Sequence, residues 1–353
     1  MKQPALGIVS TAAVMAVALG FIHLFSFATF TGWVAYYLLC LIPIQIVTAV
    51  LWKCGVPAFA GIGGAGKAAQ PLKGILLLAT GLVVGAVVAY VYWQIAGAGI
   101  SPPAPMLAMC TIVSVIVTFW ACIVWGGWPF TALIKNELAA GFATLIAAYV
   151  VNYFLFRVFF DYGFMRGAPV YVASLDPHGL VPAWNALSFY LTLLAGMFFI
   201  VNFDLWPMTS VPGIMKQPVL AVVWTAACFL LAAIAYNIGV HGMDMDPVAF
   251  MVRVPVPFVF GTIVVQNMMQ GFLFSSMKQP VKGLANVATV IVVGQLLAAF
   301  YRAMAPLVTG DLHSGPPAYD MEIWTASALL SVTFPFLIFH AAYFDFWPFQ
   351  KSK

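Results

Sequence analysis

Of the 353 residues, 64% are hydrophobic and 7% are charged, and the formal net charge is +4. Soluble domains carry about a quarter charged residues, so this composition excludes a water-soluble globular chain and points to the lipid bilayer. The five cysteines, Cys40, Cys54, Cys110, Cys122 and Cys228, contain no Cys-x-x-Cys pair, which excludes a disulfide framework or zinc finger and leaves small packing residues.

A helix crosses a bilayer with roughly 20 mainly apolar residues, because every backbone N–H and C=O must be satisfied inside the segment. Ten runs meet this condition, and the first, 5–27, follows the opening "MKQP". A single lysine, no small-residue cleavage site and similar runs after it predict a retained helix and not a removed signal peptide. The second run, 32–52, leads into "LWKCGVPAF" from Leu51 and then "GIGGAGK" from Gly61. That glycine stretch lacks P-loop spacing and a preceding soluble strand, so it reads as an inner loop and no nucleotide is expected. Runs three and four are 72–94 and 104–126, the latter closing on "WGGWPF" from Trp125. Run five, 137–158, holds Arg157 near its outer end, four residues before Asp161, a spacing that suits a structural ion pair. Run six, 182–203, closes on "FDLWPM" from Phe203, and run seven, 218–238, follows a second MKQP at Met215–Pro218. Run eight, 249–274, contains Pro255 and Pro257, which predict a kink or break. The amides of Gln266, Asn267 and Gln270 follow, to satisfy freed backbone groups or to link neighbouring helices. Run nine, 281–304, follows a third MKQP at Met277–Pro280, and run ten, 323–344, closes on "FDFWPF" from Phe344.

The charges sort by loop. Lys2, Lys53, Lys67, Lys73, Lys135, Lys216, Lys278, Lys282, Lys351 and Lys353 lie at the termini or after even-numbered runs, and the four arginines lie on the opposite side. The positive-inside rule makes the lysine face cytoplasmic, with both termini inside and the plasma (inner) membrane as the expected location. MKQP therefore reads as an inner-face helix start, with lysine among the headgroups, glutamine at the interface and proline at the first helical position. Aligning Pro4, Pro71, Glu137, Pro218 and Pro280 places Gly7, Gly74, Ala140, Ala221 and Gly283 at one depth, where small residues let helices approach closely. The Trp-Pro phrases that close even-numbered runs are the matching exit signal.

The expected architecture is an all-α, polytopic, single transmembrane domain. Five tandem, like-oriented helical hairpins, approximately 1–66, 67–132, 133–212, 213–276 and 277–353, surround a pseudo-fivefold axis. The odd-numbered helices, rich in Ala and Gly, are expected on the inside. In helix count, repeat and orientation this organisation resembles the tellurite-resistance, dicarboxylate and plant SLAC-type anion channel family, which implies a central pore; no functional residue carries over.

Ionisable residues are nearly missing from mid-membrane positions, which argues against a proton- or sodium-coupled carrier. His23 lies toward the outer end of the first run and His340 toward the inner end of the last, too far apart in depth to share a haem. Thr11, Thr80, Thr144, Thr225 and Thr289 recur at similar positions in the odd-numbered runs, and with Asn286 and Gln295 they are the candidate pore lining. The competing use of such threonines is a bond to their own i−4 carbonyl.

Outside, "SLDPHG" offers Asp176 and His178, "HGMDMDP" offers His241, Asp244 and Asp246, and "GDLHSG" offers Asp311 and His313. Imidazole with carboxylate suits copper or zinc, so these seven are the candidate metal ligands at the outer face. Asp, His, Gly and Pro also serve as turn and cap residues. The leading expectation is a membrane channel or permease for a small solute or ion. It has the lipid bilayer as its surroundings, no enzyme activity and no nucleic acid, and homo-oligomer or complex formation is left open. The alternatives are a copper- or zinc-binding subunit of a larger redox or enzyme complex, and a structural scaffold.

Overall fold

The computed structural model describes residues 1–55 and 68–350, so the glycine stretch from Gly61 and the last three residues lie outside the described residues. Ten helices are long and apolar enough to cross a membrane: α1 (Ala5–His23), α2 (Phe27–Val50), α3 (Leu72–Ile95), α4 (Pro105–Val124), α5 (Glu137–Phe159), α6 (Ala183–Asn202), α7 (Val219–Gly242), α8 (Pro247–Met268), α9 (Val281–Val308) and α10 (Asp320–Tyr343). The chain is a multi-pass helical membrane protein. Among the described residues the only strands are β1 (Phe160–Asp161) and β2 (Val181–Pro182), which pair in parallel in the loop between α5 and α6.

Odd-numbered helices share one way of starting. A helix leaves its first N–H groups without intrahelical partners, and a side-chain acceptor must supply one. Gln3, Gln70, Gln217 and Gln279 each present Oε1 to the backbone N–H four residues on, that of Gly7, Gly74, Ala221 and Gly283, at 3.0–3.2 Å. In α5 the shorter Asn136 caps the N–H three residues on, that of Ala139, at 3.0 Å. The glutamine of MKQP is thus the capping residue, and the helix begins after the proline instead of on it.

Even-numbered helices share one way of ending. Two consecutive residues turn left-handed after each: Lys53 and Cys54, Gly126 and Gly127, Asp204 and Leu205, Gln270 and Gly271, Asp345 and Phe346. This turn ends α8 at Met268, six residues short of the expected 274. Pro255 and Pro257 interrupt α8 as expected, between Arg253 and Pro255. Pro257 has no N–H for the Arg253 carbonyl, and Gln295 of α9 donates to that carbonyl at 2.7 Å instead.

The odd-numbered helices are the less buried ones. Between 28% and 50% of their most apolar windows is enclosed, against 61–78% for the even-numbered helices. The expectation that the Ala/Gly-rich helices lie inside is therefore corrected. Their enclosed residues, most of them small, form one stripe against neighbouring helices while most of the large apolar ones face outward. The stripe recurs: Gly7, Ser10, Val14, Ala18 and Ile22 in α1; Gly74, Leu77, Gly81, Gly85 and Ala89 in α3; Gly141, Thr144, Ala148, Asn152 and Phe156 in α5; Ala221, Trp224, Cys228, Ala232 and Tyr236 in α7; Gly283, Asn286, Val290, Gly294 and Ala298 in α9. In α5 this series starts at Gly141, one residue later than the alignment on Ala140.

By packing, the chain divides into two units, Met1–Phe27 with Leu191–Lys353, and Ala28–Tyr190. In the first, α8 crosses α9 at paired glycines, where a Cβ on Gly261 would lie 2.3 Å from the Val290 carbonyl oxygen and one on Gly294 would lie 2.1 Å from that of Pro257. The start of α1 lies under the end of α8, with Gln3 Nε2 donating to the Met268 carbonyl at 2.9 Å. The start of α9 lies under the end of α6, with Gly283 against the Phe203 ring. In the second unit Gly85 of α3 packs on Leu41 of α2, and Gly141 of α5 lies against the Trp52 indole, whose Nε1 donates to the Glu137 carbonyl at 2.9 Å.

Candidate functional site

In lipid, a buried hydroxyl or amide must find its partner within the protein. The threonines expected to line a pore do so locally: Thr11, Thr80, Thr144 and Thr289 each donate to the carbonyl four residues back, at 2.7–2.9 Å. Thr225 is half-buried on α7. Asn286 is buried and donates to the Asn202 carbonyl at 3.1 Å, while Gln295 is exposed and serves the proline break.

Most of the enclosed polar side chains that the proline register did not point to lie on the even-numbered helices, Asn152 of α5 being an exception. Counting back from the residue before each left-handed pair (Trp52, Trp125, Phe203, Met269, Phe344), the seventh position is Gln45, Thr118, Gly196, Thr262 or Leu337. The eleventh is Leu41, Ser114, Thr192, Phe258 or Thr333. Four residues apart, the two positions share one helix face. Gln45, Ser114, Thr118, Thr192, Thr262 and Thr333 are all buried. Within these five helices the charged residues are Arg253, Asp320 and Glu322, all in the first two turns of their helices. The available signal was a count back from the aromatic exit, not forward from the proline start.

In the first unit, Thr262 belongs to a network at the C-terminal end of α6. Asn202 Nδ2 donates to the Phe198 carbonyl at 2.9 Å and to the Thr262 hydroxyl at 3.1 Å, and Gln266 Nε2 donates to Asn202 Oδ1 at 2.9 Å. Just beyond, Asp204 Oδ2 accepts from Gln279 Nε2 at 2.9 Å and from Lys282 Nζ at 2.7 Å. The Gln266 amide therefore links helices, and the Gln279 side chain both caps α9 and holds it to the end of α6.

The loops that precede α6, α8 and α10, with the last turn of α7, hold the candidate metal ligands. Among the described residues one trio of potential ligands has its atoms within 4.8 Å of one another: Asp161, Asp176 and His178. Two of these belong to the candidate set, and Asp161 joins them. Asp161 does not pair with Arg157 among the described residues. Asp176 is buried, with Oδ1 accepting from the Tyr162 and His178 backbone N–H groups at 3.2 and 3.0 Å and Oδ2 accepting from the Tyr171 hydroxyl at 2.9 Å. His178 Nδ1 lies 3.3 Å from the same Oδ2. Burial by itself raises the Asp176 pKa, but the two N–H bonds, the Tyr171 bond and the nearby imidazole outweigh it, and the net shift is downward. Gly179 completes the loop, since a Cβ there would lie 2.4 Å from the Phe160 nitrogen.

In the first unit, Asp246 caps α8 through the Val248 and Ala249 N–H groups at 2.9 and 3.0 Å and accepts from the Tyr319 hydroxyl at 2.8 Å. His241 packs edge-on against Tyr236, Asp244 sits in a left-handed turn, and His313 offers its carbonyl to Met321 N–H at 3.0 Å. Asp311, just after Gly310, lies in the loop before α10. Asp176 and Asp246 thus act as turn and cap residues.

The chain matches no protein-family profile, no curated protein and no solved structure. What the helices themselves establish is a protein of ten bilayer-spanning segments whose enclosed polar side chains gather on alternate helices.

Proposed function

We propose that the chain is a membrane channel or permease for a small, uncharged solute. In this reading it is built from five like hairpins around a pseudo-fivefold axis, with the even-numbered helices toward the axis and the lysine-bearing turns in the cytoplasm. The single observation that carries the reading is the recurrence of buried hydroxyl and amide groups at two matched levels of the even-numbered helices, on a face without charge. Ser114, Thr118, Thr262 and Thr333 give their protons to carbonyls of their own helices, so what they offer is oxygen lone pairs, which replace part of the hydration of a neutral molecule, whereas an ion would also need a counter-charge. Matching starts, stripes and ends support the five-hairpin arrangement. The test is stopped-flow flux of water, ammonia, glycerol and urea into proteoliposomes. We expect permeability above that of empty vesicles for at least one of the four, and a fall of about fivefold for Thr118→Val with Thr333→Val, the equivalent of losing roughly one hydrogen bond in the barrier. Permeability equal to that of empty vesicles for all four overturns the reading.

A second reading, a copper- or zinc-binding subunit, is favoured by the trio Asp161, Asp176 and His178. Metal analysis of the purified protein decides it. Stoichiometric metal lost in His178→Ala supports a site there, and metal-free wild-type protein removes it.

A further inference from the structure

In the second unit, α4 carries three enclosed hydroxyls on one face, and their protons all run back along the helix. Thr111 donates to the Ala108 carbonyl, Ser114 to that of Thr111 and Thr118 to that of Ser114, each at 2.7 Å. A hydroxyl has one proton and two lone pairs. Among the described residues nothing donates to Ser114 or Thr118, so both keep their lone pairs unused. In the first unit, α8 and α10 repeat the arrangement. Thr262 gives its proton to the Phe258 carbonyl at 3.0 Å and accepts from Asn202 Nδ2 at 3.1 Å. Thr333 gives its proton to the Ala328 carbonyl at 2.7 Å, which makes the Tyr301 hydroxyl the donor in the bond between the two side chains. A lone pair remains on each threonine.

Hydroxyls in this state accept without donating, and that asymmetry decides which neutral molecules they favour. A solute that donates forms a bond to an unused lone pair and breaks none. A solute that only accepts must first draw a proton away from a carbonyl, so it exchanges one bond for another and gains nothing. The two matched levels lie four residues apart, about 6 Å along a helix. A single oxygen or nitrogen centre joins acceptors about 4–5 Å apart at ordinary hydrogen-bond lengths, so it serves one level at a time, whereas two N–H-bearing arms reach both. Resting on the conduit reading, we propose that the path favours molecules that bring N–H donors on two sides, urea first and small primary amides second, over molecules of the same size that only accept. Ser114 and Thr118 are the determinants, because α4 alone among the even-numbered helices carries a hydroxyl at both levels.

The test compares urea, acetamide and dimethyl sulfoxide by stopped-flow light scattering on proteoliposomes of the full chain and on empty vesicles. The three are closely matched in size and carry N–H groups on two arms, on one and on none. We expect the protein-dependent permeability, that of empty vesicles subtracted, to fall about fivefold from urea to acetamide and about fivefold again to dimethyl sulfoxide, roughly one hydrogen bond at each step. Ser114→Ala should lower the urea value about fivefold and leave the dimethyl sulfoxide value where it was, a contrast that loss of folded protein does not produce. Dimethyl sulfoxide carried as well as urea, urea held at the empty-vesicle value, or both solutes falling alike in Ser114→Ala overturns the inference. Water or ammonia flux above that of empty vesicles keeps the conduit reading in place whichever of these is found, and no flux of any solute removes both.

Discussion

A glutamine reaches one residue further than an asparagine, and this difference is visible in how the odd-numbered helices begin. Gln279 caps Gly283 and also holds Asp204, so its replacement by Leu removes both the cap acceptor and the donor to the carboxylate. We expect Gln279→Leu to cost about 1–2 kcal/mol in thermal or denaturant unfolding. A second residue-scale expectation concerns Asp176. Its pKa in the folded protein lies below the unfolded value, so its stabilising contribution is fully present above the unfolded carboxylate pKa near 4 and is lost as pH falls through the folded pKa. Protection of residues 160–182 against hydrogen exchange, relative to the intrinsic rate at each pH, should be high at pH 6 and fall once the pH drops below the ordinary carboxylate range, and Asp176→Asn should show low protection throughout. The repeated MKQP phrase was legible as a helix start because proline and lysine act locally. The capping role of its glutamine was not, because a side chain of that length has several reachable partners and sequence does not say which one it takes.

At the scale of helices, the crossing of α8 and α9 depends on two missing Cβ atoms. Gly261→Ala puts a methyl 2.3 Å from the Val290 carbonyl oxygen, while Gly20→Ala in α1 meets nothing within 4 Å. We expect the first to destabilise by about 2–3 kcal/mol and the second to be neutral or to stabilise by about 0.5, measured by thermal unfolding in detergent. The number of helices, the starts of the odd-numbered ones and the break at Pro255 and Pro257 were readable from hydropathy and proline alone. Which helices lie inside was not. Lipid tails and a protein interior are equally apolar, so Ala and Gly content marks where helices touch and not which side faces the interior. The shift of α5 by one residue has the same kind of origin: without a proline to fix the start, Asn136 sets it, and Gly141, one residue past the aligned Ala140, meets the Trp52 ring.

For the whole molecule, the lysine turns predict sidedness. Single cysteines introduced at Lys2, Lys135, Lys216 and Lys278 in a chain freed of its five buried native cysteines should label from one side of sealed inverted vesicles, and cysteines at Arg166 and Asp311 from the other. A lysine-turn position that labels with the second group would break the like-oriented arrangement. The candidate metal set was legible as residue types but not as groupings, because loops of this length do not specify which of Asp176, Asp246 and their neighbours serve as caps. Asp161 entered the outer trio through the β1 pairing with β2, a contact no local pattern announces.

The left-handed exits of the even-numbered helices leave room for improvement by design. One of the five is built from two glycines, yet Lys53, Asp204 and Asp345 hold the same backbone geometry with a Cβ that L residues accept only at a cost of about 1 kcal/mol. Asp345 is exposed, so its replacement by glycine should relieve that cost without emptying any packed space. Asp345→Gly therefore offers protein engineers a first handle for prolonging the life of the purified protein in detergent, at an exposed position.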